Sequence, residues 1–212
     1  MLSVASACMV MFKGRRILLT VQHAVKRQGI WAMEIAYRPP NGTLIYQLGP
    51  MNFFVRVAPG KRSRHIDFAY VCLPDDVQPL IQEVSPRGEI YREEPRLTLD
   101  SALDQEPQKG MRYGFAGFGN NDRSEHAVFG DVQLEDNLSF LRERSGLYYF
   151  RLNHDHPGHE VYEGCSGAPI LSQEGDLVGL VVGGSKSAKT IRAVALPQYR
   201  GVLEVSLENS GK

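Results

Sequence analysis

Gly164-Cys165-Ser166-Gly167-Ala168-Pro169, running on into Ile170-Leu171, is the stretch whose reading decides the fold. A serine with glycine two residues before it and one after it sits in a tight turn, where small residues leave backbone N–H groups free to point at a ligand. Such a turn can expose a nucleophile beside an oxyanion hole. Downstream, Gln173-Glu174-Gly175-Asp176 is a polar turn, and Leu177-Val178-Gly179-Leu180-Val181-Val182-Gly183-Gly184 is a β-branched strand ending in glycines, so Ser166 opens a hairpin. A glycine-flanked serine by itself is a common turn. A serine hydroxyl is a poor nucleophile at neutral pH and needs a base, and the base needs an orienting acid.

Working outward, Thr20-Val21-Gln22-His23-Ala24-Val25 closes the apolar run Arg16-Ile17-Leu18-Leu19, and His65-Ile66-Asp67-Phe68-Ala69-Tyr70-Val71-Cys72-Leu73 has an aspartate at the opening of a buried strand. Together these segments and the Ser166 turn resemble the trypsin-like (chymotrypsin-fold) serine peptidases in motif, chain order and separation, over nearly the whole chain. The resemblance implies His23 as general base, Asp67 as the residue that holds its tautomer, and Ser166 as nucleophile. It also implies an oxyanion hole from the backbone N–H groups of Gly164 and Ser166, and a substrate-pairing strand at Val182-Gly183-Gly184. His65 stands two residues from Asp67 along a strand, the wrong distance to be oriented by it. Cys165 stands where zymogen-activated relatives carry an aspartate, and Ala24 where secreted animal members carry a disulfide cysteine, so the likeness is to a bacterial-type member. Cys165 is a second candidate nucleophile, as cysteine is in viral relatives, but the frame puts Ser166 in the slot. The specificity pocket of such enzymes has its floor six residues before the serine, here Glu160, with Glu163 at the rim. A carboxylate in a partly buried slot there predicts a preference for Arg or Lys.

Bulk properties agree with a globular protein. Of 212 residues 42% are hydrophobic, enough for a proper core. Lys plus Arg and Asp plus Glu both number 24, so no net field favours nucleic acid or a membrane surface. The expected partner is a protein or peptide substrate. The first twelve residues have no basic residue before a short, serine-interrupted apolar run and read as a strand rather than a signal peptide. No apolar run approaches the ~18 residues of a membrane span. Three widely spaced cysteines fit free thiols and a cytoplasmic location.

Short apolar runs between turn residues predict an all-β protein of two six-stranded antiparallel β-barrels with a short C-terminal helix. A linker at 100–109 separates an N-terminal barrel, 1–99, carrying His23 and Asp67, from a C-terminal barrel, 110–212, carrying Ser166. Hairpins are expected around Lys13-Gly14-Arg15 and Pro39-Pro40-Asn41-Gly42, strands at Asn52–Val57, Phe68–Leu73 and near Arg96–Leu99, and exposed loops at Pro59–Arg64 and Asn120–Glu125. Gly114, Gly117 and Gly119 alternate with aromatics, as in a bent strand. Pro197 with Tyr199, Val202, Leu203 and Leu207 predicts the helix. His154-Asp155-His156-Pro157-Gly158-His159-Glu160 has donors for a zinc ion, but proline and glycine inside it work against fixed ligand geometry, and it reads as a polar loop beside the pocket. No metal or other cofactor is implied. The rival reading is a non-catalytic peptide-binding module on the same fold.

Overall fold

The structure, a computed structural model, describes residues 4–26, 29–57, 64–123 and 128–209. β1 (Cys8–Phe12) and β2 (Arg15–Thr20) pair antiparallel with Phe12 opposite Arg15, leaving Lys13 and Gly14 alone in the turn. Both have positive φ, 51° and 72°, the backbone whose twist matches two right-twisted strands. Alternation buries Val10, Phe12, Ile17 and Leu19 in one core.

After β2 the chain leaves the sheet in a single helical turn, α1 (Gln22–Val25), anchored by buried Val25. The hairpin of β3 (Ala32–Arg38) and β4 (Gly42–Gln47) follows around Pro39–Asn41 as expected. β5 (Asn52–Arg56) then pairs with β6 (Arg64–Cys72), and β6 pairs with β2. The Pro59–Arg64 loop lies outside the described residues apart from Arg64, which opens β6.

A hairpin that the sequence reading misses, β7 (Leu80–Val84) with β8 (Ile90–Pro95), comes next. β9 (Thr98–Asp100) then joins β1 in parallel, completing a five-stranded sheet in the order β5-β6-β2-β1-β9. In detail, then, the first half is this sheet flanked by two separate hairpins, with one parallel pair. The reason lies in side chains. The β7–β8 hairpin is held by polar groups, Arg92 on Glu83 and Glu94, and Glu93 on Arg38 and Gln82. Leu44, Ile45 and Ile81 stay exposed on these hairpins, while Met33 and Tyr46 of the first pack against Met9, Leu18 and Val71 of the sheet.

The second half closes fully. β10 (Arg112–Arg123), β11 (Val128–Arg144), β12 (Leu147–Arg151), β13 (Pro169–Ser172), β14 (Leu177–Ser185) and β15 (Thr190–Ala195) form a barrel in the order β10-β11-β12-β15-β14-β13. β13 returns to β10 through Tyr113 opposite Ser172. β10 runs on through Arg123, so the expected loop at Asn120–Glu125 is strand to that point and its remainder lies outside the described residues. α2 (Pro197–Asn209) ends the described chain, with Leu203 and Leu207 buried. One core joins the halves: Val10, Phe12, Leu19 and Phe68 pack in the same cluster as Leu177, Leu180, Leu203 and Leu207. Leu103, within the expected linker, is buried in that cluster too. Among the described residues no helix is long and apolar enough to cross a membrane.

Candidate active site

His23 sits on α1, immediately beyond the last β2–β6 pair, Thr20 opposite Ala69. Asp67 lies on β6 opposite a register shift in β5, between the pairs Phe53–Ala69 and Val55–His65. With β2 gone and β5 irregular at that level, the Asp67 carboxylate is left to α1. It accepts the backbone N–H of His23 at 2.9 Å, and the ring Nδ1 lies 2.7 Å from Oδ2 and 3.0 Å from Oδ1. These contacts assign the ring proton to Nδ1, leaving Nε2 as an acceptor. Nε2 is 2.9 Å from the Ser166 hydroxyl. The structure thus brings His23, Asp67 and Ser166 into one hydrogen-bonded row. Burial would raise the Asp67 carboxyl, but the bonds from the His23 ring and backbone outweigh it and hold the group below its ordinary value.

Ser166 stands in a turn between Gly164, with φ 100°, and Gly167, with φ 94°. Both are conformations that only glycine adopts cheaply. A Cβ on Gly167 would collide with Ser6 O and Thr20 Oγ1. Those contacts show a functional residue that sequence reasoning missed. The backbone N–H of Ser6 donates to Gly164 O at 3.0 Å and to Ser166 O at 3.1 Å. Its hydroxyl donates to Gly164 O at 2.8 Å and accepts the N–H of Phe118 at 3.0 Å. Thr20 Oγ1, itself buried, donates to Ser6 O at 2.8 Å. The N-terminal segment therefore grips two carbonyls of the turn. Among the described residues no acceptor takes the N–H of Gly164 or of Ser166. Nothing in the sequence signals this role, because it uses a backbone amide and an ordinary serine hydroxyl.

Cys165 points the other way, fully buried against Gly117 and Gly119 of β10. Burial pushes its thiol up to about 11, so thiolate is scarce at neutral pH. All three cysteines are free; Cys8 is buried and Cys72 exposed.

The segment before the turn is organised by Glu135, a nearly buried carboxylate on β11 that also escapes sequence reading. It accepts the Tyr162 hydroxyl and, at 2.8 Å, His154 Nε2. His154 Nδ1 donates to Asp155 O at 2.7 Å; that bond and the Glu135 bond raise its pKa. His156 is buried, edge-on to the Tyr162 ring at 4.9 Å. Its Nδ1 accepts the N–H of Gly158 at 3.2 Å, and burial, helped by His159, lowers its pKa and keeps it neutral. Among the described residues no group of three or more metal-ligating side chains converges.

Glu160 is exposed, its carboxylate folded over Gly158 Cα, and Glu163 is exposed as well. The loop that carries both is tied down by Glu135, His154 and Tyr162. Val182, Gly183 and Gly184 are half-buried on β14, and His156 Nε2 occupies the space that a Gly184 side chain would take.

No protein-family model matches the sequence, and no curated protein matches it by sequence. Solved structures do. Mouse brain neuropsin, described as a serine protease, is similar at a TM-score of 0.59 and 12% identity, over 96% of this chain and 89% of that one. Human heparin binding protein is similar at 0.56 and 12%, over 95% and 85%. The fold is therefore chymotrypsin-like.

Proposed function

We propose that this protein is a serine endopeptidase acting through an acyl-enzyme. Ser166 Oγ attacks the peptide carbonyl carbon while its proton passes to His23 Nε2. Asp67, bonded to Nδ1, stabilises the imidazolium. The N–H groups of Gly164 and Ser166 receive the oxyanion. The proton then goes to the departing amine, and water, deprotonated by His23, releases the acyl group. The observation that carries this reading is the continuous row from Asp67 through His23 to the Ser166 hydroxyl, with bonds of 2.7 and 2.9 Å. Buried, protonated Cys165 argues against a thiol nucleophile. The fold alone does not decide function, since structures on it carry the names of a protease and of a heparin binding protein. The free thiols fit a cytoplasmic setting.

The test is labelling of the purified protein with a fluorophosphonate, together with peptide turnover. Ser166→Ala abolishes labelling. Ser166→Ala and His23→Ala each lower turnover by on the order of 10³-fold or more with the fold retained. Turnover that survives Ser166→Ala, or that disappears only in Cys165→Ala, overturns the assignment.

A further inference from the structure

Beside the glycine end of β14, the outer wall of the barrel carries a row of directly opposed residues. Gly183 faces Arg192 on β15, Arg192 faces Tyr149 on β12, and Tyr149 faces Arg142 on β11. Opposed residues share a face of the sheet. The Arg142 guanidinium lies 5.3 Å over the Tyr149 ring. These side chains, with Gly184, line a cleft of about 390 Å³ that no carboxylate borders. Gly183, at φ 144°, puts no side chain beside it; a Cβ there would stand 3.4 Å from Arg192 Nη2.

Among the described residues neither Arg142 nor Arg192 forms an ion pair. Arg192 Nε is shut off from solvent with no acceptor. Arginine offers its donors in the planar fork that a carboxylate matches.

We infer that this cleft is a subsite for an acidic side chain of a peptide lying along β14. The placement of the peptide rests on the peptidase reading; the recognition of charge does not. It gives the substrate a polarity opposite to that expected from Glu160.

The test measures binding, using Ser166→Ala protein and fluorescein-labelled heptapeptides of alanine and glycine with one Glu, or one Gln, walked through every position. At about 150 mM salt, where exposed pairs are screened, Glu binds about tenfold more tightly than Gln at one position. Arg192→Met removes that difference, and Arg142→Met reduces it, in variants whose circular dichroism is unchanged. Equal binding at every position, a preference that survives Arg142→Met/Arg192→Met, or no binding of any peptide overturns the inference. So does free glutarate displacing the peptide as well as the glutamate peptide itself does, since the strand would then contribute nothing. A protein that discriminates Glu from Gln but never cleaves leaves this inference standing and removes the peptidase reading; one that cleaves without discriminating does the reverse.

Discussion

Two residues show how position sets chemistry. Ser6 holds the Ser166 turn by its amide and its hydroxyl, and only the hydroxyl can be removed by mutation. Ser6→Ala leaves Phe118 N–H without its acceptor and frees one bond to Gly164 O, a stability loss of about 1–3 kcal/mol. Because the turn carries the proposed oxyanion donors, kcat in the same variant falls about tenfold while KM stays within about twofold, as steady-state kinetics would show. Asp67 gives a pH signature. Its folded pKa is depressed, so its contribution to stability is complete above the ordinary carboxylate range and is lost as pH falls through the lowered folded value. Denaturation midpoints of wild type and Asp67→Asn therefore keep a constant gap above about pH 5 and converge below about pH 4. A gap that widened on acidification would show the sign to be wrong.

Among the elements, β10 shows most directly how a strand shapes the site. Its alternating glycines, expected to bend the strand, also make room: a Cβ on Gly119 would collide with Val161 O and one on Gly117 would stand 3.1 Å from Cys165 Cβ. Gly119→Ala should therefore cost about 1–3 kcal/mol by overpacking and lower turnover by displacing the segment that leads to Ser166; thermal melts and kinetics measure both. The strands that bury an apolar face were legible in the sequence, as β1, β2, β13, β14 and β15 attest, because alternation and turn residues mark them. The β7–β8 hairpin was not, since cross-strand charges hold it together in place of a buried stripe. The grouping of His23, Asp67 and Ser166 was legible through the resemblance of their three segments, in motif, chain order and separation, to the trypsin-like serine peptidases. Glu135 and Ser6 were not, because one is a carboxylate within a strand and the other one serine among many.

At the scale of the molecule the halves share one core, and α2 is the element that closes it. Tyr199 stacks on Phe68 at 5.8 Å, and Tyr70 and Ser206 share a hydrogen bond of 2.6 Å. Unfolding should therefore be a single transition: Trp31 fluorescence, which reports the first half, and far-UV circular dichroism share one midpoint. Leu203→Ala, which empties a fully buried site, lowers that midpoint for both probes together and costs about 2–5 kcal/mol. Separate midpoints would show that the halves unfold independently. The grip of Ser6 on Gly164 has a further consequence in time. It spans 158 residues, and the bond from His23 to Ser166 spans 143. Contacts so distant along the chain form late and slowly, because their loop-closure entropy is met only after local structure exists. A chain still emerging from the ribosome carries its histidine and aspartate long before its serine, and cannot set the turn until both ends have met. Synthesis itself would then hold back the proposed activity until the turn at residues 164–167 has been made.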